Sequence, residues 1–309
     1  MQHDEHCQPL HAPLHLGRYD AQVIQAGRFA LDGGAMFGVI PRTMWEKRIE
    51  PDARHRIDLA TNCLLLRDGK RVILVDNGMG NKWNAKEQGI FKIGEWTLLE
   101  NLQKAGVAAD DVTDLFLTHL HFDHAGGSTA LDENEELRIT FANANVHVGK
   151  RNWEWAKDPV ERDRGSYRRE NFELLNEGGR LVLHDDEKCL AEGAAPIRIF
   201  DDFEAFSCDG HTSGQLLPLV GPVGANNDVM RLLYGADMIP TQHHVRMPWH
   251  MGYDLRPTTL LKEKRALLSL CSDEHVALLF EHDLQTAVAS IVREGKDFSV
   301  NTPLRSPLG

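Results

Sequence analysis

The stretch that decides the fold is His119-Leu-His121-Phe-Asp123-His124, which follows the apolar run Leu115–Leu117 and precedes a Gly-Gly pair. On an extended segment, residues two apart face the same side, so His119 and His121 are placed to bind one ion together. A turn after the phenylalanine then carries Asp123 and His124 toward a second ion nearby. Imidazole with carboxylate is a ligand set that suits zinc, iron, manganese or cobalt. This stretch therefore predicts metal binding.

Short apolar runs on both sides of this stretch predict a chain rich in strands, and a few longer periodic segments predict helices. The predicted strands are Ala21–Ile24, Phe37–Ile40, Cys63–Leu66, Val72–Val75, Leu115–Leu117, Phe141–Val148, Leu181–Leu183, Ile197–Phe200, Phe203–Ser207, Leu216–Val220, Arg231–Tyr234 and Val276–Phe280. The predicted helices are Glu95–Ala105, Thr258–Leu270 and Thr286–Arg293, with a further helix that begins at Lys150. Two of the predicted apolar strands end on an aspartate, Asp76 and Asp237. Two similar sheet halves that face each other would produce such a repeated pattern.

No low-complexity linker divides the chain, so we expect a single domain over residues 21–309. Residues 1–20 are polar and rich in histidine, which is typical of a loose tail that packs late or belongs to a partner subunit. Residues 157–180 are charged and contain Tyr167 and Phe172, and we expect them to form a helical insertion over the core.

Composition limits the classes of function. The chain has 309 residues and a formal net charge of −12, which argues against a nucleic acid partner because phosphate binding requires clustered Lys and Arg. The five cysteines are scattered and form no C-x-x-C pair, so neither a disulfide framework nor a thiolate zinc site is supported. No signal-peptide pattern begins the chain, and no apolar run approaches the roughly 18 residues of a membrane span. We expect a cytoplasmic protein with a small-molecule substrate and no membrane partner.

Four further places carry residues that suit a metal site. They are Asp76 after an apolar strand, Asp209-Gly-His211, Gly235-Ala-Asp237 at the end of another strand, and Phe280-Glu-His282-Asp after a third. Taken one at a time, each has an ordinary structural interpretation as a turn, a helix cap or a polar core residue. Their order along the chain is what links them to the histidine stretch.

With these motifs, the sequence resembles the metallo-β-lactamase superfamily, whose H-x-H-x-D-H signature is matched in full. The resemblance implies an α+β fold, a four-layer αββα sandwich in which two mixed sheets face each other with helices outside. It also implies a two-ion site. One ion would be held by His119, His121 and His211, the other by Asp123, His124 and His282, with Asp237 between them. Asp76 matches an aspartate that supports the metal-binding loop without being a ligand.

The implied site has a mechanism. Two divalent ions about 3.5–4 Å apart lower the pKa of a bridging water, so that a hydroxide nucleophile exists at neutral pH. We expect zinc first, with iron, manganese or cobalt also compatible. Asp123 is the catalytic candidate, because a carboxylate at that position can accept or relay the proton.

The substrate depends on the loops around the site. The layout is similar to N-acyl homoserine lactonases and to the methyl-parathion-hydrolase-like group, which makes an ester or lactone carbonyl the first expectation. Those lactonases often carry a tyrosine where this chain has Pro240, and Tyr253 can replace that hydroxyl. Phe122 and Trp249 are candidates for the walls of an apolar pocket.

Two other classes of reaction use the same ligands. One alternative is a phosphotriesterase or other phosphoester hydrolase, and the other is an iron-dependent oxidoreductase such as a sulfur dioxygenase. The sequence leaves a homodimer open.

Overall fold

The computed structural model describes residues 13–177, 179–222 and 230–305, and strands form the framework of this part of the chain. The sixteen strands among them are β1 Leu14–Leu16, β2 Tyr19–Asp32, β3 Arg56–Arg67, β4 Val72–Val75, β5 Asp114–Phe116, β6 Thr129–Leu131, β7 Leu137–Ile139, β8 Asn145–Gly149, β9 Leu181–His184, β10 Ile197–Phe200, β11 Phe203–Cys208, β12 Gln215–Val220, β13 Leu232–Tyr234, β14 Ala277–Leu279, β15 Val288–Glu294 and β16 Asp297–Arg305.

The helices are mostly short. The α-helices are α1 Gly33–Phe37, α2 Arg42–Trp45, α3 Ala85–Phe91, α4 Leu98–Lys104, α5 Phe122–Ala125, α6 Lys150–Lys157 and α7 Pro257–Asp273. Turns of 3-10 helix occur at Ala109–Asp111, Gly126–Ser128, Arg164–Ser166, Arg169–Asn171, Glu173–Asn176, Leu190–Glu192, Ala236–Met238 and Gln242–Val245. None of the described helices is both long and apolar enough to cross a membrane.

Two seven-stranded sheets carry the fold. The first has the order β1-β2-β3-β4-β5-β8-β9, antiparallel as far as β4 and parallel from there to β9. The second has the order β10-β11-β12-β13-β14-β15-β16 and is antiparallel except for the parallel pair β13–β14. The two mixed sheets of the predicted α+β sandwich are confirmed.

The alternating direction of successive side chains along a strand explains the four layers of the fold. In β3, Leu64 and Leu66 lie in a core that also contains Leu217 and Leu233 of the second sheet. Leu65, between them, lies in a separate core with Leu98 and Leu102 of α4 and with residues of α6. Successive side chains of a strand point to opposite faces, so one sheet packs against the other sheet on one side and against helices on the other. On the far side of the molecule, α7 covers the second sheet.

The predicted loose tail over residues 1–20 is wrong for the part that the structure describes. Residues 1–12 lie outside the described residues, but Leu14–Leu16 pairs antiparallel with β2 from Tyr19 onward. Leu16 and Tyr19 are buried in the core between the sheets, and Gly17 adopts a positive φ of 65° in the turn that joins the two strands. This hairpin buries apolar side chains that a free tail would expose.

The predicted helical insertion over residues 157–180 is only partly helical. Helix α6 ends at Lys157, and the segment continues as three 3-10 turns between Arg164 and Asn176. Phe172 and Leu175 anchor it in the core beneath the first sheet. Tight turns separated by extended residues let these side chains reach the core one at a time.

Two other local predictions are wrong. Phe37–Ile40 was expected to be a strand, but Phe37 ends α1, which begins after Asp32 accepts a hydrogen bond from the backbone N–H of Ala35. Thr286–Arg293 was expected to be a helix, but Val288–Glu294 is strand β15, paired with β14 and β16. A short apolar run does not distinguish a helix from a strand by periodicity alone.

Candidate metal centre

The residues of the candidate site gather at one edge of the two sheets because each follows the end of a strand. The stretch from His119 to His124 follows β5, and its last residues form α5. Asp237 lies in the 3-10 turn after β13, His282 follows the neighbouring parallel strand β14, and His211 follows β11. Carboxyl ends of parallel strands meet at one edge of a sheet, so residues distant in the chain converge there.

The first group of converging side chains contains His119, His121, His211 and Asp237, all buried, whose potential ligand atoms lie within 4.8 Å of one another. Nε2 of His211 is 3.1 Å from Oδ2 of Asp237, and Nε2 of His119 is 3.9 Å from the same oxygen. His121 approaches His211 through Nδ1, at 3.1 Å from the His211 Nε2 atom. The four side chains surround a space of the size that one ion requires.

The second group contains Asp123, His124, His282 and again Asp237, also buried and within 4.8 Å of one another. Nε2 of His282 is 2.9 Å from Oδ1 of Asp237 and 3.6 Å from Oδ2 of Asp123. Nε2 of His124 is 3.9 Å from Oδ1 of Asp123. The structure thus brings together all seven predicted ligands in two groups that share Asp237, the grouping predicted from sequence. Their assignment as ligands stays a prediction.

Unpartnered nitrogen atoms test whether these residues fit metal ions. Nε2 of His119, His121, His124 and His282 is buried without a hydrogen-bond partner among the described residues. Leaving a buried polar atom unpaired costs about 1–3 kcal/mol, so four in one place require an explanation. Cations bound at these nitrogens would supply it, because neutral imidazole coordinates a metal through such a nitrogen.

In four of the five histidine rings of the site, the Nδ1 atom is held by the surrounding chain. Nδ1 of His282 donates to the carbonyl of Ala60 at 2.8 Å, and Nδ1 of His124 and His211 lie 3.0 Å from carboxylates of Asp76 and Asp254. A hydrogen bond at Nδ1 fixes the tautomer and orients the ring, which leaves Nε2 free for an ion. In the fourth ring, His119, Nδ1 lies 3.1 Å from the hydroxyl of Thr118.

Electrostatics divide the histidines into two kinds. Burial, and then the neighbouring imidazoles, lower the pKa of His119 and His121 well below the usual value, so both rings are neutral. Burial would also lower the pKa of His211 and His282, but Asp237 outweighs it together with other carboxylates and raises both to about 9. Burial is likewise outweighed at His124, whose pKa Glu281, Asp237 and Asp123 raise well above the usual value. These three rings must release protons when an ion binds.

Asp76 lies where the predicted supporting role requires it. Its Oδ1 accepts from the backbone N–H of Thr118 at 2.8 Å, and its Oδ2 accepts from the hydroxyl of Thr118 at 2.7 Å and lies 3.0 Å from Nδ1 of His124. Asp76 has a positive φ of 56°, a conformation that aspartate tolerates better than most residues. One side chain thus ties the loop before His119 to a candidate ligand.

Three neighbours of the site were missed by sequence reasoning. Asp254 holds His211, and the ring of Tyr167 packs edge-on against His121 at 4.6 Å between centroids. Glu281 is fully buried beside His124, and burial and Asp76 raise its pKa to about 8. Only Glu281 left a signal in the sequence, as a charged residue directly after an apolar strand.

The three predicted substrate-binding residues differ in their surroundings. Phe122 packs against Trp83 with centroids 5.3 Å apart, and Trp249 packs edge-on against Phe37 at 5.5 Å. Both are almost fully buried in one aromatic core next to the site. Tyr253 is 38% exposed, and burial together with Asp32, Asp123 and Asp237 raises its pKa to about 12. Of the three, Tyr253 alone is open to a substrate and within electrostatic reach of both site carboxylates.

Comparisons with known proteins concern the family and the fold. Residues 56–204 match the model of the metallo-beta-lactamase superfamily. No curated protein sequence matches the chain.

Solved structures similar to this one extend along almost the whole chain. A probable metal-dependent hydrolase from Staphylococcus aureus is 23% identical with a TM-score of 0.80, and the alignment covers 94% of this chain and 100% of that one. AidC, a dizinc quorum-quenching lactonase, is 20% identical with a TM-score of 0.74, covering 95% and 97%. An N-acyl homoserine lactone hydrolase with the product N-hexanoyl-L-homoserine at its catalytic metal centre is 18% identical with a TM-score of 0.62, covering 89% and 95%. At these identities the likeness concerns the fold.

Proposed function

We propose that the chain, whose residues 56–204 match the metallo-β-lactamase superfamily and whose fold is similar to that of a probable metal-dependent hydrolase, is a hydrolase that uses two divalent metal ions to cleave an ester or lactone. The observation that carries the proposal is the pair of buried ligand groups that share Asp237. Each group offers three or four protein ligands, the number that leaves room for water or substrate in a catalytic site.

The metal ions and the protein side chains would have separate roles in the reaction. Two bound ions would lower the pKa of a shared water and polarise the carbonyl oxygen under attack. The histidines and aspartates hold the ions, and the partners of Nδ1 keep the rings in place. Zinc is the ion we propose, because imidazole and carboxylate suit it and because the similar lactonase AidC is a dizinc protein.

Asp123 is the residue to which we assign the proton. It lies on α5 inside the second group, with Oδ2 3.6 Å from Nε2 of His282. Burial raises the pKa of this carboxyl in the ion-free protein. A carboxylate that binds an ion through one oxygen can accept a proton from the attacking water on the other. The proton then passes to the leaving oxygen of the ester.

The proposed substrate class follows from the surroundings of the site. The aromatic core that contains Phe122 and Trp249 lies on one side of Asp123, and Tyr253 presents a neutral hydroxyl near Asp123 and Asp237. A neutral hydroxyl donates a hydrogen bond to a carbonyl or ester oxygen. Lactonases among the similar structures support an acyl lactone as the first substrate to test.

A substrate panel tests the proposal. The purified protein, loaded with zinc, is assayed with acyl homoserine lactones, aryl esters, phosphotriesters and thioesters. We expect turnover of lactones or esters that is lost in a His119→Ala/His121→Ala double variant, which controls for contaminating hydrolases.

Metal analysis completes the test. Two zinc ions per chain are expected. Failure to cleave any lactone or ester would remove the proposed substrate class, and cleavage of phosphotriesters alone would favour the phosphoester alternative. Two iron ions with oxygen consumption would replace the hydrolase by an oxidoreductase.

A further inference from the structure

Two carboxylates approach the same nitrogen of His124. Oδ2 of Asp76 lies 3.0 Å from His124 Nδ1, and Oε2 of Glu281 lies 2.9 Å from it. All three side chains are fully buried. A single N–H serves one acceptor well, so the two carboxylates cannot have the same role.

The remaining contacts separate their roles. Asp76 accepts two hydrogen bonds from Thr118 in addition to its contact with His124. Apart from the approach of Oε2 to His124, neither oxygen of Glu281 has a hydrogen-bond partner among the described residues. A fully buried carboxylate without hydrogen bonds is costly unless a positive charge compensates it. Glu281 therefore contributes charge beside His124, whereas Asp76 contributes the hydrogen bond that orients the ring.

Cations bound at the proposed site would provide the compensating charge. Five buried carboxylates lie within or next to the two ligand groups, those of Asp76, Asp123, Asp237, Asp254 and Glu281. Two divalent ions would bring four positive charges to this cluster. Interactions between buried charges are weakly screened, so a carboxylate behind a ligand still strengthens cation binding.

We propose that Glu281 is a positioning residue whose charge acts through His124 to strengthen the binding of the ion held by Asp123, His124 and His282. The inference rests on the proposed two-ion function. Glu281 acts through the proposed ligand His124, whereas its neighbour His282 is itself a proposed ligand. Glu281 does not contact the substrate in this scheme.

Glu281→Gln tests the charge while it keeps the shape of the side chain. Zinc is titrated into the metal-free full-length protein against a chelator of known affinity, so that both binding steps are resolved. The affinity for one of the two zinc ions should fall by about 10- to 100-fold, as for other outer partners of metal ligands, and the other ion should bind as in the wild type.

Thermal melting gives a second readout that a merely structural residue would not produce. Metal-free Glu281→Gln should melt at a temperature at least as high as the metal-free wild type, because the amide fills the same buried space and is neutral. The increase in Tm on addition of zinc should be smaller in the variant. If Glu281 only stabilised the fold, the metal-free variant would melt lower and its zinc affinity would be unchanged.

Two further variants complete the design. Glu281→Met removes charge and polarity at similar volume, and it should weaken zinc binding at least as much as the glutamine variant. Glu274→Gln, at an exposed glutamate paired with Arg231, is the control and should bind zinc as the wild type does.

The outcomes distinguish this inference from the proposed function. A wild-type protein that binds no zinc would overturn both. A wild type that binds two zinc ions, together with a Glu281→Gln variant that binds both with unchanged affinity, would overturn the role of Glu281 alone.

Discussion

Asp123 is the residue on which the proposed chemistry depends most directly. It lies between two histidines of the second group, with oxygens 3.9 Å from Nε2 of His124 and 3.6 Å from Nε2 of His282. A carboxylate can bind an ion through one oxygen and take a proton on the other. An asparagine keeps an oxygen ligand but cannot take the proton, so it separates the two roles.

Asp123→Asn should therefore retain zinc and lose turnover. General acid–base groups typically contribute about 10²- to 10⁴-fold to a rate, and we expect kcat to fall within that range. The measurement is kcat and KM for a cleaved substrate, with the zinc content of each preparation. Asp58→Asn, at an exposed aspartate paired with Lys92, is the control. A variant that keeps both ions and full turnover would show that the proton role is wrong.

The residues of the site were largely predictable because their chemistry is local. A spacing of two on an extended segment places His119 and His121 together, and the later motifs each follow an apolar strand. The partners of the rings were not predictable in the same way. Asp254 holds His211 from 43 positions along the chain, and Glu281 faces His124 only because β14 ends beside α5. Such contacts depend on the packing of elements.

Helix α7 anchors the loop in front of the site through one side chain. Lys264 is fully buried, and its ammonium group donates to the carbonyls of Arg246 and Trp249 at 2.7 Å each, with Met247 at 3.4 Å. Burial lowers the pKa of this lysine to about 7. The amino group is retained there because it donates to three loop carbonyls, of which only that of Arg246 also accepts from the backbone, namely from the N–H of Trp249 among the described residues.

Lys264→Met should loosen this loop and leave the metal site intact. Methionine has a similar volume, but each unsatisfied carbonyl costs about 1–3 kcal/mol. Since this loop leads directly to Tyr253, the residue open to a substrate, we expect KM to rise several-fold, the zinc content to be unchanged and proteolysis at residues 246–249 to accelerate. Lys262→Met, at an exposed lysine on the same helix, is the control. An unchanged KM and unchanged proteolysis would contradict the anchoring role.

At the level of elements, prediction succeeded where the apolar pattern within the segment itself indicates the type of element. Val72–Val75 agrees with β4 at both ends, and Thr258–Leu270 lies inside α7. It failed for Thr286–Arg293, whose strand β15 is specified by pairing with β14 and β16 on either side. Pairing partners are not visible in a short window of sequence, so the type of a short apolar segment depends on neighbours that folding supplies.

At the scale of the whole molecule, the stability of the fold offsets the free-energy cost of the buried polar site. Two sheets share one apolar core, and this core is large enough to carry unpaired histidine nitrogens and buried carboxylates at one edge. The site is preorganised by its surroundings, and the ions complete it. Ion binding is therefore coupled to folding, because only the folded chain brings the seven side chains together.

That coupling predicts how zinc binding depends on pH. The pKa of His211 and of His282 is about 9 in the absence of ions, above the unfolded value of about 6.5. Their contribution to the stability of the ion-free fold is present below about 6.5 and is lost as the pH rises through 9. Zinc must displace both protons, so its apparent affinity should rise between pH 6.5 and 9.

The measurement is the zinc-induced increase in Tm at a fixed free zinc concentration, set by a chelator buffer at each pH. The increase should be largest near pH 9, where His211 and His282 have lost their protons. Groups remote from the site affect the zinc-bound and zinc-free proteins alike, so their effects cancel in the difference. Asp254→Asn removes one carboxylate that raises the pKa of His211, so this variant should show a weaker dependence on pH. A zinc-induced increase that is flat from pH 6.5 to 9 would mean that His211 and His282 are already neutral when the ions arrive.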